Sequence, residues 1–464
     1  MSRSDPSTAA HLTPGPDLAA PLDLAGAHAR TDAPPTVRVR AASGLAVVAV
    51  RLPTVPLVEV RLRVPLHGAA PAGAVLLAHL LARPDRPVPG GTLAAQVQRL
   101  GGHVAVGADA DALQVSAGCL AEHLPRLLAL LAHVLGEDVA PDGVPAPDRT
   151  QVAQVAAMGR AQPALRAVET LNRSAYGGRH PYGRAGAGPA EVLELPAPEV
   201  EALRRARVLP GAATLVLVGD LDPDRAAAAA QDALRGWTGT PAAPPLPPVP
   251  RDLSGPVVLD PVPGAVQSCL RAALPVVGRA HPDYAALQVA NLVLGGYFSS
   301  RLVLDLRERR GICYGARTAF VHAHAGALLV ASVDVGRDAT AEALGALWDQ
   351  LDGLRRRPPT ALEHGHARRH ALGAQQLAAS TQGSYADRTV ELEHQGLGAG
   401  WVAAHLEQLT RVTARDVAAA VERHLDPARA ALVLTGDAVV AAPLAPVAAA
   451  VGRALQVLPA TGTA

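Results

Sequence analysis

Two short runs, Ala213-Thr-Leu-Val-Leu-Val-Gly-Asp220 and Ala431-Leu-Val-Leu-Thr-Gly-Asp437, constrain this chain more than any other feature. Each has the pattern of a buried strand closed by a Gly-Asp turn. They lie about one half-chain apart, with a proline-dense stretch between them near the midpoint. Between Trp237 and Pro256, Pro241, Pro244, Pro245, Pro247, Pro248 and Pro250 fix φ and remove backbone donors. Neither helix nor central strand forms on such a run, which reads as an extended, semi-rigid linker. The pattern after the linker repeats the pattern before it, and repetition of this kind implies duplication. The chain is therefore read as two α+β halves.

A chain of 464 residues also exceeds what one ordinary core can organise. Hydrophobic residues make up 49 % and the formal net charge is +1, so no basic excess points to nucleic acid. Every basic residue is arginine, which reads as coding bias and not as function. Aromatics are 2 %, so the cores must be built from Leu, Val and Ala, and each Tyr or Phe stands out. Cys119, Cys269 and Cys313 are widely spaced and odd in number. They give neither a disulfide framework nor a Cys-x-x-Cys metal site, and buried free thiols are expected. Met1 to about Pro35 is rich in Pro, Ala, Asp and Thr and lacks the apolar core of a signal peptide or anchor. No apolar run reaches membrane-spanning length, and a soluble, cytoplasmic protein is expected.

The expected division is a disordered N-terminal tail over 1–36, a first α+β domain over 37–237, the linker over 238–256, a second α+β domain over 257–455 and a C-terminal tail over 456–464. In the first domain, Val58-Glu-Val-Arg-Leu-Arg-Val alternates as a half-buried strand should. Helical patterns follow near residues 73–81, 93–100, 120–135, 151–176 and 190–205, with strands near 103–106 and 112–117. In the second domain, strands are expected near 266–274, 313–320 and 327–333, with helices near 282–294, 340–354, 360–378 and 385–396.

The stretch from Ser300 to Tyr314 carries the most chemistry. Leu302, Leu304 and Leu306, followed by charges from Arg307 to Arg310, read as an amphipathic helix ending in a basic turn. Gly311 is its natural terminator, and Ile312-Cys-Tyr-Gly-Ala-Arg-Thr-Ala-Phe320 enters a sheet. A helix end bearing Arg307 thus meets a strand start bearing Tyr314. The pair can present a guanidinium and a phenol to one point, or the stretch can be an ordinary helix-Gly-strand junction.

Gly295-Gly296-Tyr297-Phe298-Ser299-Ser300-Arg301-Leu302, continued through Leu306-Arg307-Glu308-Arg309-Arg310-Gly311-Ile312-Cys313-Tyr314, resembles the second-domain signature of the pitrilysin/insulinase metallopeptidases, the inverzincins. Weaker agreements are Leu100-Gly101-Gly102, His180-Pro181-Tyr182-Gly183 and the two Gly-Asp turns. The resemblance covers roughly residues 37–455. It implies two homologous domains, each a mostly antiparallel sheet packed with helices, that form half of a peptidase chamber.

Active members carry His-x-x-Glu-His on a first-domain helix, where two imidazoles one turn apart bind zinc and the Glu activates water. A further Glu some seventy residues on completes the ligands. The matching helix here, 74–81, puts Val75 at the first His position and Ala78 at the Glu position, and only His79 survives. The downstream helix, Gln151-Val-Ala-Gln-Val-Ala-Ala157, supplies no carboxylate. One imidazole cannot build a site that needs three protein ligands, so no metal and no cofactor is expected on this chain. His366 and His370, at i,i+4 spacing among charges, read as a solvated helix face, and His322 and His324 on a strand read as structural.

In some members of the family the chamber halves are separate chains, one keeping the zinc motif and the other keeping the Arg and Tyr. Arg307 and Tyr314 match those two positions with the family's spacing of seven. The resemblance implies an accessory subunit of a heterodimer whose homologous partner binds zinc, with Arg307 and Tyr314 acting in trans on a peptide carbonyl. Gly295, Gly296, Ser299 and Ser300 are the expected substrate-binding positions, the glycines because backbone can pass close to them. The substrate would be an extended peptide, for instance a precursor or its leader. The alternative is a purely structural or peptide-binding subunit.

Overall fold

The structure is a computed structural model that describes residues 34–184, 186–242, 245–398 and 400–459. Most of both expected tails, 1–33 and 460–464, lies outside the described residues. The first half opens with β1 (Thr36–Arg40), β2 (Ala46–Arg51), β3 (Leu57–Pro65) and α1 (Pro71–Leu81). Two-residue strands β4 (Pro87–Val88) and β5 (Gly91–Thr92) lead to α2 (Leu93–Arg99), β6 (His103–Ala108), β7 (Ala112–Leu120) and α3 (Leu124–Gly136). Then come α4 (Ala146–Arg160), α5 (Pro163–Tyr176), α6 (Pro189–Glu194), α7 (Ala197–Arg207), β8 (Thr214–Gly219) and α8 (Pro223–Ala233). The single helices expected over 151–176 and 190–205 are each two, because Pro163 and Pro196 end one helix and start the next. The described residues of 238–256 hold no helix or strand.

The second half runs β9 (Val257–Pro261), β10 (Gln267–Val276), α9 (Tyr284–Asn291), α10 (Arg301–Val303), β11 (Cys313–Ala323) and β12 (Gly326–Gly336). It continues with α11 (Thr340–Arg356), α12 (Ala361–Leu377), α13 (Gln382–His394), α14 (Gly400–Arg411) and α15 (Ala414–His424). It closes with β13 (Ala431–Gly436), α16 (Ala441–Ala450) and β14 (Leu455–Val457). The chain expected to leave the fold at 456 therefore stays in it, paired along β9 through Val457.

The duplication is explicit in the sheets. One is ordered β1-β2-β8-β3-β7-β6; the other, from the matching edge, β14-β9-β13-β10-β12-β11. β2 runs parallel to β8 as β9 runs parallel to β13, and both Gly-Asp strands, β8 and β13, are buried along their whole length. Only the outermost place differs. β1, from the start of the chain, is antiparallel to β2, whereas β14, from its end, is parallel to β9.

Alternation along β3 sends Val58, Val60, Leu62 and Val64 into a core with Leu76, Leu77, Leu127 and Leu128. Leu270, Ala272 and Leu274 of β10 do the same against Leu287, Leu302, Leu306 and Leu347. The opposite faces are covered reciprocally. Leu171 and Ala175 of α5 pack on Val258, Ala273, Leu328 and Val433 of the second sheet. Ala386 and Val390 of α13 pack on Val48, Val50, Val216 and Val218 of the first. Each half thus lends the other a helix, and the described residues from Pro35 onward form one compact unit.

Candidate functional site

The signature stretch is built from tight backbone. α9 runs into a π turn, Leu292–Gly296, and the chain is extended at Tyr297 (φ −151°) before α10 begins after Ser300. The helix expected from Ser300 is a single α turn that widens into a second π turn over Leu304–Arg309. The cause is local: buried Asp305 accepts hydrogen bonds from Arg310 Nε (3.1 Å) and Gln350 Nε2 (2.8 Å), while its carbonyl accepts the amide of Arg310. π turns of this kind concentrate at functional sites. Gly311 at φ +66° then reverses the chain into β11.

Several of the charges in this stretch are consumed by structure. Arg301 grips Glu363 through two bonds of 2.7 and 2.8 Å, and those bonds hold the Glu363 carboxyl down at about 2. Arg310 pairs with Asp305 and Glu342. Arg307 has only its neighbour Glu308 as an ion-pair partner, with Nε 3.4 Å from Oε1. Its guanidinium lies over the Phe298 ring at 4.8 Å and the Tyr314 ring at 5.8 Å, a cation held by two aromatic faces.

Tyr314 is 94 % exposed, and its hydroxyl has no hydrogen-bond partner among the described residues. A β-bulge sets this orientation. Cys313 pairs with Val335 and Ala316 with Val333, so Tyr314 and Gly315 together face Asp334. Bulges re-aim side chains at sheet edges, and β11 is an edge strand whose outer backbone row has no strand partner among the described residues. Tyr314 overhangs a cleft of about 670 Å³ lined by Gln267, Arg271, Cys313, Arg317, Ser332 and Asp334. Arg271 is buried there with Asp334 at 2.6 Å. Cys119 and Cys269 are buried free thiols pushed up to about 11 by desolvation, but Cys313 is half-buried beside the cleft.

The structure gives Gly295, Gly296 and Ser300 a different job from the expected one. A Cβ on Gly295 would sit 2.8 Å from the Thr318 side chain, and one on Gly296 would sit 2.7 Å from Asn291 Nδ2. Gly295 lets the π turn lie against β11, whereas Gly296, half-buried, closes against Asn291 and Leu292 of its own helix. Ser300 is 1 % exposed, whereas Ser299 is exposed next to Phe298. Phe298, itself exposed, is the residue that sequence reasoning missed, although its rarity in so aromatic-poor a chain was a signal.

The degenerate motif sits on α1. Val75 packs against the first core, Ala78 is buried in it, and neither offers a donor atom. His79 Nε2 lies 2.7 Å from Asp148 Oδ1, and Arg83 donates to Asp148 Oδ2 at 3.1 Å. Here the sequence reading needs correction: the downstream helix does carry a carboxylate. α4 starts at Ala146, five residues before the expected helix, and Asp148 lies in its first turn. The carboxylate is engaged by an imidazole and a guanidinium, an ion-pair cluster that supplies two donor types at most and already holds a cation.

His370 lies against Tyr297 with ring centroids 5.3 Å apart. His322 bonds the Tyr284 hydroxyl (3.1 Å) and is pushed down to about 3 by burial and then by Arg279. His324 stacks on His67 at 5.2 Å.

Residues 195–370 match the family described as the peptidase M16 inactive domain. Among solved structures, this chain is similar to a peptidase M16 inactive domain from Pseudomonas fluorescens (TM-score 0.78, 23 % identity, covering 87 % of this chain and 98 % of that one). A protease from Helicobacter pylori superposes with a TM-score of 0.76 at 16 % identity over 87 % of this chain and all (100 %) of that one. A chain of complex III2 from Candida albicans, with Inz-5 bound, gives 0.72 at 14 % identity over 86 % of this chain and 95 % of that one. No curated protein matches the chain. Residues 195–370 are thus similar to the inactive domain of the M16 peptidases, and the fold is shared with two-domain, M16-like structures. Both agree with the pitrilysin/insulinase resemblance, and the sequence holds no His-x-x-Glu-His.

Proposed function

We propose that this chain is the subunit without a catalytic zinc site in a cytoplasmic heteromeric metallopeptidase, paired with a homologous subunit that carries the zinc motif. The observation that carries this reading is the orientation of Tyr314: almost fully exposed, aimed outward by a bulge, with Arg307 over its ring and no hydrogen-bond partner for its hydroxyl among the described residues. An active-site pair that faces out of its own subunit serves a reaction centred elsewhere. Zinc in the partner would supply the Lewis acid. Tyr314 would donate a hydrogen bond to the scissile carbonyl oxygen as negative charge develops on it, with Arg307 as a fixed cation beside it. An extended peptide, such as a precursor or leader segment, would add along the free edge of β11, and Phe298 would give it an apolar contact.

A second reading is a chamber wall or scaffold with no part in catalysis. It is supported by the occurrence of this fold in a chain of complex III2. Co-purification with a homologue bearing His-x-x-Glu-His separates the two. The trans reading expects cleavage by the mixed complex only, reduced on the order of 10²-fold by Tyr314→Phe. Equal cleavage by that variant would favour the scaffold, and zinc-dependent cleavage by this chain alone would sink both.

A further inference from the structure

A cluster remote in sequence from both the Arg307/Tyr314 pair and the degenerate motif brings three ligating side chains together. His281 and Asp283 lie in the turn before α9, and His424 is the last residue of α15. His424 Nε2 is 2.7 Å from Asp283 Oδ2, and His281 Nδ1 is 3.9 Å from the same oxygen. One ligating atom from each residue falls within 4.8 Å of the other two, and no other such trio occurs among the described residues. Ligands of a tetrahedral ion at bonds of about 2.0–2.2 Å stand about 3.3 Å apart. The present separations bracket that value, so side-chain adjustments alone can close the site.

The backbone around the trio matters too. His281 Nδ1 accepts the backbone amide of Asp283 (3.1 Å), a hydrogen bond that an ion on this nitrogen would displace. The C-terminus of α15, which ends at His424, adds the negative end of its dipole. A cation already leans on the carboxylate: Arg423 Nη1 lies 3.0 Å from Asp283 Oδ2. Its side chain is 57 % exposed and can withdraw into solvent.

We propose that His281, Asp283 and His424 bind a first-row divalent cation, zinc foremost, which clips the start of α9 to the end of α15. Two imidazoles and one carboxylate suit zinc, cobalt or nickel, and not magnesium or calcium, which take oxygen ligands. Arg423 acts as a competitor that occupies the carboxylate when the ion is absent. Because α9 runs on into the π turn before Phe298, the clip would fix the base of the element that carries the aromatic face under Arg307.

The test uses the full chain, stripped with chelator and titrated with Zn²⁺ by calorimetry and with Co²⁺ by visible absorption. The expected result is one zinc per chain at this site, with a cobalt spectrum of a four- or five-coordinate N/O site. His281→Gln and His424→Gln should each weaken binding at least about tenfold, and Arg423→Gln should strengthen it several-fold. The double variant His366→Gln/His370→Gln should leave it unchanged. Should His424→Gln fail to fold, His281→Gln, the more exposed position, decides. Zinc affinity and stoichiometry unaltered in both His variants, or no binding up to millimolar zinc with Arg423→Gln merely less stable, would overturn the proposal and leave an ion-pair latch.

Discussion

The guanidinium of Arg166, on a helix of the first half, holds the carboxylate of Asp260, on a strand of the second, through two hydrogen bonds of 2.7 and 2.5 Å. Thr170 Oγ1 donates to the same carboxylate at 2.9 Å, and the hydrogen bonds to Asp260 raise the Arg166 pKa above its usual value. Asp260 is buried, so removing its partner strands a charge away from water. Arg166→Ala is expected to cost about 3 kcal/mol. Because α5 and α13 are exchanged between the sheets, urea unfolding should remain a single transition by both tryptophan fluorescence and circular dichroism. Two resolved transitions, one per half, would contradict the reciprocal packing.

Tyr314→Phe removes an exposed hydroxyl with no hydrogen-bond partner among the described residues, so stability should stay within about 0.5 kcal/mol of the parent. Phe298→Ala should also leave the fold intact, but it removes one of the two aromatic faces over which Arg307 rests. In the mixed complex it should raise KM for an extended peptide more than it lowers kcat.

Gly295→Ala places a methyl against Thr318, whose backbone nitrogen would lie 3.0 Å away. The cost should be about 1–3 kcal/mol, read as a lowered Tm. Thr318→Ala in the same chain should recover only part of it, since the backbone contact remains.

Burial holds His394 down at about 4, with Arg63 the next cause, and holds His322 at about 3. Both ionise near 6.5 when unfolded. Between those values the unfolded chain binds protons that the folded chain refuses, so stability rises with pH. Stability should be fully present above pH 6.5 and decline as pH falls toward the folded values. Urea midpoints at pH 7.5 and 5 measure the decline, and the double variant His322→Gln/His394→Gln should reduce it, with buried His405, held down at about 4, sustaining the rest.

The repeat and most strands could be read directly from sequence, because Leu215, Leu217, Leu432 and Leu434 sit in runs that only a buried strand accommodates. β9 and β14 were not legible: they are short, lie beside prolines or the chain end, and owe their conformation to pairing with their neighbours. The exchange of α5 and α13 was hidden for a related reason. An apolar face on a helix, such as Leu171 with Ala175, says that something covers it but not which sheet. Arg307 and Tyr314 were visible through their spacing. The π turn over Leu304–Arg309 forms where buried Asp305 is engaged by Arg310 and Gln350, and Asp148 was missed because prolines at 145 and 147 masked the start of its helix.

The reciprocal loan of helices bears on how such a chain arose. A single half would have had one apolar sheet face uncovered and one helix projecting without a seat, unable to stand alone. Two copies would have satisfied each other as a twofold, domain-swapped dimer. Joining them end to end turned that association into an intramolecular one, at an effective concentration set by the tether. From then on the two copies were free to diverge in sequence.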